Sequence, residues 1–350
     1  KSRIKKLAAI AAEGPGYCLE DHCFNQGKYL MRKTLLPLLP LLALLWTANS
    51  FPHNAPAVPA AIDLDELAEA FGWDFAGTQI RTEKITDNFF VLFGAGGNIG
   101  VSIGKDGVFI VDDQFPQLTP KIHAAIGELG GEGVDFAVNT HWHFDHAEGN
   151  KVLGAEGTWL VAQQNSRQMM QQDNIVNLVS VAYDQQAYPQ SALPVITFAD
   201  AMQFHLNGQT IDLMHFGPAH TTGDAAVFFR ESNVLHMGDV FNNAGYPFID
   251  AGNGGTLEGL IHFCEQALKA INADTVVIPG HGPVTNYQAL ADYVTMLTTV
   301  RDRMLVLIHK GASLDAVFAA RPTADFDGKM GDNVRFINRA YMSLTHKIVD

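Results

Sequence analysis

The segment 140–146 concentrates side chains that bind metals and move protons. Its sequence is Thr-His-Trp-His-Phe-Asp-His, which places three imidazoles and one carboxylate within six consecutive positions. Neutral imidazole and carboxylate suit zinc, iron and manganese. Four such side chains on so short a loop cannot all reach one ion without strain. The spacing therefore predicts two metals, with alternate residues facing each.

Three later residues are further candidate ligands, and each lies at or just beyond the end of a predicted strand. His220 occurs in Gly-Pro-Ala-His-Thr-Thr-Gly-Asp, Asp239 in Met-Gly-Asp, and His281 in Pro-Gly-His-Gly-Pro. Glycine permits tight turns and close backbone approach, which suits loops that point toward an ion. Asp112 and Asp224 are predicted to support these loops through hydrogen bonds rather than to bind metal.

The elements that must position these residues follow from hydrophobic patterning. The apolar run 134–138 predicts a buried strand directly before the histidine loop, where α/β proteins place their chemistry. Further strands are predicted at 89–93, 99–103, 108–111, 159–161, 202–206, 210–215, 225–229, 234–237 and 275–278. Helices are predicted at 63–71, 120–129, 165–172, 256–271, 288–311 and 336–348. Residues 173–193 show no clear pattern and are predicted to cross the surface near the site. The arrangement predicts two facing sheets with helices outside both.

The first 50 residues differ in composition from the rest of the chain. Met-Arg-Lys at 31–33 precedes an apolar run of about twelve residues, which is too short to span a membrane. Ala-Asn-Ser at 48–50 is an acceptable cleavage site, so residues 31–50 are predicted to be a secretory signal peptide and residues 1–30 an upstream segment. We expect a periplasmic or secreted protein with no stable membrane anchor after cleavage. An uncleaved amphipathic anchor is the alternative.

Composition limits the kinds of partner. Hydrophobic residues make up 47% of the 350-residue chain, enough for a sizeable core. The formal net charge of −14 excludes nucleic acid as the main partner, because phosphate binding needs a basic surface. We expect a small-molecule substrate, and the sequence does not predict an oligomeric state. Of the three cysteines only Cys264 lies beyond the signal peptide, on the apolar face of a predicted helix.

Taken together, the HxHxDH loop and the three later ligand motifs resemble the metallo-β-lactamase superfamily in order and approximate spacing. The resemblance covers about residues 76–310. It implies an α/β fold, an αββα sandwich of two mixed β-sheets with helices on both outer faces. Residues 51–75 are then a linker with a short helix, and residues 311–350 a C-terminal helical extension.

The resemblance also implies the role of each ligand. One metal is expected to bind His141, His143 and His220, and the other to bind Asp145, His146 and His281, with Asp239 bridging the two. Two zinc ions per chain are the default, and iron and manganese accept the same ligands. A metal-bridging hydroxide is expected to be the nucleophile, with Asp145 orienting it as the catalytic residue.

The resemblance to true β-lactamases is incomplete. Many lactamases carry Cys or Ser where this chain has Asp239, and a Lys where it has Asn242, whereas a bridging Asp resembles glyoxalase II and lactonase relatives. The loop 95–97 is too short for a flap over a lactam. Residues 242–250 follow the bridging aspartate directly, so Asn242, Tyr246 and Phe248 are candidate pocket residues, with a packed loop anchor as the other interpretation of Tyr246 and Phe248. Trp142, between two ligands, is predicted to pack under the loop, with a place at the pocket border as the alternative.

We therefore expect a dinuclear zinc-dependent hydrolase of a small-molecule ester, lactone, thioester or amide. One alternative is a β-lactamase with low or moderate activity. A second is an iron-dependent oxidoreductase of the sulfur dioxygenase type, and a third is a non-catalytic periplasmic accessory protein.

Overall fold

The structure of the protein is a computed structural model, which describes residues 58–345. The predicted signal peptide at 31–50 and the upstream segment lie outside the described residues, as does the end of the last predicted helix. Within residues 58–345, no helix combines the length and apolarity needed to cross a bilayer.

The described residues form sixteen strands and ten α-helices. The strands are β1 (Ala61–Ile62), β2 (Arg81–Lys84), β3 (Phe89–Phe93), β4 (Ile99–Gly104), β5 (Gly107–Val111), β6 (Phe136–Asn139), β7 (Trp159–Gln163), β8 (Asn174–Asn177), β9 (Ala182–Gln185), β10 (Ile196–Phe198), β11 (Ala201–Leu206), β12 (Gln209–Met214), β13 (Ala226–Phe229), β14 (Val234–His236), β15 (Val276–Ile278) and β16 (Thr285–Asn286). The helices are α1 (Leu64–Phe71), α2 (Thr119–Glu128), α3 (Phe144–Ala147), α4 (Asn150–Glu156), α5 (Gln164–Met170), α6 (Leu257–Ala270), α7 (Tyr287–Ile308), α8 (Leu314–Ala320), α9 (Asp327–Met330) and α10 (Val334–Thr345).

Two large mixed sheets carry the fold. The first has the order β10-β7-β6-β5-β4-β3-β2, in which β2 to β5 form an antiparallel meander and the remaining strands pair in parallel. The second runs β11 to β16 in sequence order, with one parallel pair between β14 and β15. The strands predicted between 89 and 111 and between 202 and 237 are present as the antiparallel runs β3 to β5 and β11 to β14.

Alternating side chains assign each face of the first sheet to a different core. Along β3, Phe89 and Val91 point into the cluster between the two sheets, whereas Phe90 and Leu92 point outward. Helix α2 covers the outer face through Ile122. Helices α6 and α7 cover the outer face of the second sheet, with Cys264 buried in that cluster. The αββα sandwich predicted from sequence is therefore confirmed.

Residues 173–193 are more regular than the sequence predicted. Strands β8 and β9 pair as an antiparallel hairpin, and β1 joins β9 in parallel to complete a separate three-stranded sheet. The polar and apolar residues of the hairpin alternate too weakly to predict strands. The hairpin pairs with a segment more than 100 positions earlier in the chain, and a local sequence pattern does not record that pairing.

The C-terminal segment packs into the main core. Val317, Phe336 and Tyr341 are buried in the same cluster as α6 and α7. Helix α1 also packs inward through Leu67, and Asp63 caps its N-terminus in a reciprocal capping box with Glu66. Segments at both ends of the described chain therefore border the central sandwich.

Candidate metal centre

The seven candidate ligands come from loops that follow strands at one edge of the sandwich. The loop 140–146 follows β6, Asp239 lies in a short 3-10 turn after β14, and His281 follows β15. His220 lies between β12 and β13. Parallel strands end at a common edge, so β6, β14 and β15 bring side chains together that are far apart in sequence.

Three imidazoles form the first ligand group, which consists of His141, His143 and His220. One nitrogen from each lies within 4.8 Å of the others. His143 Nδ1 is 2.9 Å from His220 Nε2, and all three residues are buried. The group therefore has the three nitrogen donors typical of a catalytic zinc site.

The second ligand group consists of Asp145, His146 and His281, again with one ligand atom from each within 4.8 Å. His146 Nε2 lies 3.3 Å from His281 Nε2, and His281 Nε2 lies 3.2 Å from Asp145 Oδ2. The His281 side chain is 29% exposed, so this group is open to solvent on one side.

Asp239 lies between the two groups. Its Oδ1 is 3.1 Å from His146 Nε2, and its Oδ2 is 3.7 Å from His220 Nε2. One carboxylate oxygen is thus directed to each group, which is the arrangement that a bridging ligand requires.

Asp112 sets the tautomers of one histidine in each group. Its Oδ2 accepts hydrogen bonds from His146 Nδ1 at 2.7 Å and from the hydroxyl of Thr140 at 2.8 Å. The Thr140 oxygen in turn lies 3.0 Å from His141 Nδ1 and accepts its hydrogen. In its neutral form, each of these two histidines therefore directs an unprotonated Nε2 to the site. The supporting role predicted for Asp112 is confirmed.

The other two histidines are oriented by the segment 248–250. His220 Nδ1 donates to the carbonyl oxygen of Phe248 at 2.8 Å. His143 Nε2 donates to Asp250 Oδ2 at 3.0 Å, and Asp250 is fully buried. The sequence did not predict this role for Asp250, because the contact joins residues 107 positions apart. Its only sequence signal is its place at the end of the loop that follows Asp239.

The donor set fits metal ions. With Nε2 of His143 and Nδ1 of His220 both donating, the two nitrogens that face each other across 2.9 Å each carry a lone pair. Such a contact is repulsive unless a cation lies between the lone pairs. His141 Nε2 is buried and has no hydrogen-bond partner among the described residues. Nitrogen and carboxylate oxygen are suitable ligands for zinc, iron and manganese.

The two ligand groups differ in the direction in which the protein shifts the pKa values of their histidines. Burial, followed by the neighbouring histidines, holds the pKa of His141 well below its usual range. Burial likewise lowers the pKa of His220, although Asp239 opposes the shift. A neutral imidazole is the form that binds metal, so the lowered pKa values of His141 and His220 favour ligation.

In the second group, the effect of neighbouring carboxylates on the histidine pKa values outweighs the effect of burial. Burial acts to lower the pKa of His281, but Asp239 and Asp145 outweigh it and raise that pKa to about 10. The same carboxylates, together with Asp112, raise the pKa of His146 well above its usual range against the effect of burial. Burial acts to raise the pKa of Asp239, and the two histidines reverse that effect. This half of the site therefore stabilises positive charge.

Glycines permit the close packing around both groups. A Cβ atom on Gly97 would lie 2.1 Å from the His146 ring, and one on Gly280 would lie 2.0 Å from Asp239 Oδ1. Any side chain at these positions would displace a ligand.

A cavity of about 910 Å³ opens directly onto the ligands, a size typical of sites for small molecules. His143, Asp145, Asp239 and His281 form its polar floor. Much of the wall is aromatic or aliphatic, and these lining residues are Phe71, Trp73, Phe144, Val176, Leu178, Val179, Tyr246, Phe248 and Val334.

Three of the four predicted pocket residues line this cavity. Phe248 packs 6.0 Å from the His143 ring, and Tyr246 stacks on Phe336 with ring centroids 5.2 Å apart. Asn242 also lines it, but its side chain bonds within its own loop, donating to the Tyr246 carbonyl oxygen at 3.2 Å. Asn242 therefore shapes the loop.

Trp142 packs under the loop, so the alternative that it borders the pocket is wrong. Its side chain is fully buried in the cluster beneath the first sheet and does not line the cavity. His141 and His143 point into the first ligand group, so the residue between them points to the opposite side and packs into the core.

The loop that carries His220 is held by Asp224, as predicted. Asp224 Oδ2 accepts hydrogen bonds from the backbone N–H groups of Ala219 and Thr221, at 3.2 and 2.8 Å. His215 lies nearby and makes its hydrogen bond with the Asp224 carbonyl oxygen, at 2.7 Å, and it belongs to neither ligand group.

Comparisons with known proteins agree with this geometry. The family model described as the metallo-beta-lactamase superfamily matches residues 96–281, about half of the chain. A hydroxyacylglutathione hydrolase from Rhodospirillum rubrum is 26% identical over 222 residues, which cover 63% of this chain and 73% of that protein.

Solved structures share the fold. The DIM-1 metallo-beta-lactamase superposes with a TM-score of 0.51 at 21% identity, covering 63% of this chain and 98% of the other. A metallo-beta-lactamase from Pontibacter korlensis also gives a TM-score of 0.51, at 18% identity, covering 63% of this chain and 99% of the other. At these identities the likeness establishes the architecture alone.

Proposed function

The chain belongs to the metallo-β-lactamase superfamily of metal-dependent hydrolases, and from that premise we propose a dinuclear zinc hydrolase of small-molecule esters, lactones, thioesters or amides. The proposal rests on the two adjacent ligand groups, because Asp239 directs one carboxylate oxygen to each of them. His141, His143 and His220 would hold one zinc ion, and Asp145, His146 and His281 the other.

Zinc ions held there would activate a water molecule and polarise the acyl carbonyl group of the substrate. The residues of the chain have separate tasks. Asp112 and Asp250 hold the histidines in the tautomers that ligation needs. The apolar residues of the cavity wall would pack against the body of the substrate, and the polar floor residues would face its acyl group.

Asp145 is the candidate for proton transfer. It lines the cavity floor, and its side chain is 12% exposed, so it can contact a water molecule and the substrate. In hydrolysis, the water oxygen bonds to the acyl carbon, the bond from that carbon to its oxygen, sulfur or nitrogen leaving atom breaks, and a proton passes to the leaving atom. Asp145 is placed to accept the proton from water and return it.

The substrate class is supported by the bridging position and by the relative. Asp239 occupies the site where many lactamases carry Cys or Ser, and Asn242 replaces the Lys that pairs with a lactam carboxylate. The Rhodospirillum rubrum relative is named a hydroxyacylglutathione hydrolase, and such a substrate is an acyl thioester. Esters and thioesters are therefore the first substrates to test, with lactams as the comparison.

We also propose that the mature protein is periplasmic or secreted, on the basis of the basic and apolar pattern at 31–50. Fractionation of cells that express the full chain tests this location. Recovery of the uncleaved chain in the cytosol would contradict it.

The central experiment combines metal quantification with a panel of esters, lactones, thioesters, amides and lactams. We expect about two zinc ions per chain after saturation, hydrolysis of at least one acyl class, loss of activity with a chelator and its return with zinc. His143→Ala should abolish hydrolysis. His205→Ala is the matched control, because His205 is exposed on the edge strand β11.

Two results would contradict the proposal. Less than about one metal per chain under saturating zinc would remove the metal site. Firm binding of iron, with thiol-dependent oxygen uptake and no hydrolysis, would favour the oxidoreductase alternative.

A further inference from the structure

Part of the cavity wall comes from segments outside the matched family region. Phe71 and Trp73 belong to the end of α1 and the turn after it, and Val334 and Arg335 begin α10. All four lie outside residues 96–281. Features of the cavity that depend on these segments therefore belong to this chain rather than to the shared domain.

Arg335 has the only lysine or arginine side chain among the residues that line the cavity. Its Nε donates to the carbonyl oxygen of Leu178 at 3.1 Å, and its guanidinium carbon lies 5.3 Å from the centroid of the Phe71 ring. These two contacts fix the plane of the group. Its two terminal nitrogens form no hydrogen bond or ion pair with any residue in the range 58–345. A half-buried cation thus has two donors available to a ligand.

Acidic residues near Arg335 are already engaged elsewhere. Asp332, also on the cavity wall, accepts a hydrogen bond from the Val334 N–H group at 2.8 Å. Asp74, on the cavity wall too, accepts from the Gly77 N–H group at 2.9 Å. Neither carboxylate forms a direct ion pair with Arg335, although the charge of Asp332 acts on the guanidinium through space.

The tip of the β8–β9 hairpin is built around this position. Val179 lines the cavity with φ at 73°, a backbone conformation that is strained for a β-branched residue. Two hydrogen bonds hold it there, from Val179 N to Asn177 Oδ1 at 2.9 Å and from Leu178 N to Val181 O at 2.9 Å. The turn directs one carbonyl oxygen to Arg335 and one apolar side chain to the cavity.

Aromatic rings line the cavity between Arg335 and the ligand groups. Phe71 and Trp73 stack with centroids 5.0 Å apart, and Trp73 lies 6.1 Å from Phe144, which adjoins the ligand His143 in the chain. A substrate whose acyl group lies at the metals would place its body against these rings.

We propose that Arg335 is a substrate-binding residue that pairs with a carboxylate at the end of the substrate remote from the scissile bond. The preferred substrates are then acyl compounds with an apolar or aromatic body and a terminal carboxylate. A planar guanidinium with two adjacent free donors matches a carboxylate in a bidentate geometry. This inference rests on the proposed hydrolase function, because it assumes that the acyl group occupies the ligand groups.

Binding of simple dicarboxylates tests the inference without depending on turnover. Zinc-loaded protein is titrated by calorimetry with straight-chain dicarboxylates of four to ten carbons and with monocarboxylates of the same lengths. We expect one dicarboxylate length to bind about 10- to 100-fold more tightly than its monocarboxylate, as for a hydrogen-bonded charge pair. Arg335→Met should abolish this preference, and Arg335→Lys should reduce it.

Arg230→Met is the matched control, because Arg230 is exposed on the second sheet and pairs with Asp212. It should keep the preference. If Arg335→Met does not fold, Arg335→Gln takes its place, and it should likewise lose the preference for the dicarboxylate. Two results would overturn the inference. The first is equal binding of mono- and dicarboxylates by the wild type. The second is an equal loss of both in Arg335→Met, which would indicate a purely structural residue.

The same samples separate this inference from the proposed function. Zinc content and hydrolysis of paired esters, with a terminal carboxylate or a neutral carboxamide, are measured alongside binding. In Arg335→Met we expect full zinc content and a rise in KM for the carboxylate ester with kcat little changed. If zinc binds and dicarboxylates are preferred but no ester, thioester, lactone or amide is cleaved, the hydrolase proposal fails by itself.

Discussion

The two ligand groups differ in charge and in access. His141, His143 and His220 are all imidazoles, and burial lowers the pKa of His141 and His220. The second group contains a carboxylate, and neighbouring carboxylates raise the pKa of His146 and His281. Burial thus favours the neutral form of two histidines in the first group, whereas the second group favours positive charge and reaches solvent at His281.

This difference indicates a division of tasks. Asp145 and His281 line the cavity, whereas His141 and His220 do not. Substrate and water in the cavity therefore meet Asp145 and His281 of the second group but only His143 of the first, whose other two members are buried away from the cavity.

The largest expected effect comes from Asp239→Asn, which removes the charge that the two groups share. We expect weaker zinc binding at both groups and a loss of activity beyond the about 10- to 100-fold typical of an altered supporting residue. Zinc titration and kinetics measure this, with Asp292→Asn as control because Asp292 is exposed on α7. Loss of zinc from only one group would argue against a bridging role.

An intermediate effect is expected from Asp250→Asn, which acts on the first group alone. The variant retains the shape of the side chain but weakens the hydrogen bond from His143 Nε2. We expect about 10- to 100-fold weaker binding of one zinc ion and an unchanged second ion. Competitive zinc titration resolves the two affinities. Equal weakening of both would contradict the separation of the groups.

The smallest expected effect comes from Tyr246→Phe on the cavity wall. Its hydroxyl hydrogen-bonds to the Thr323 carbonyl oxygen at 3.2 Å and to Asp327 Oδ1 at 3.0 Å. We expect a loss of about 0.5–1.5 kcal/mol in the free energy of unfolding, with zinc content unchanged, because the ring remains in place. Denaturant unfolding measures it, and Tyr287→Phe, at the start of α7, is the control. Altered zinc binding would show that the wall and the metal centre are coupled.

Much of the fold and of the candidate site was predictable because the signals are local. Hydrophobic patterning at β3 to β5 and at β11 to β14 predicted strands of both sheets, and the helical spacing around Cys264 predicted a buried face of α6. The ligand types and the motifs around them predicted all seven residues that the structure brings together. Errors arose where neighbours in sequence face opposite directions, as with the pocket alternative for Trp142, or where a hairpin is stabilised by a distant strand.

By itself, the amino-acid sequence determined the chemistry of the centre, because a ligand is defined by its side chain and its turn by a few adjacent glycines. Only the tertiary structure decided which residues hold the ligands in place and which residues line the cavity beside them. Asp250 reaches His143 from 107 positions away, and Arg335 meets Leu178 from 157 positions away. Such contacts depend on how whole elements pack, and no local pattern records them.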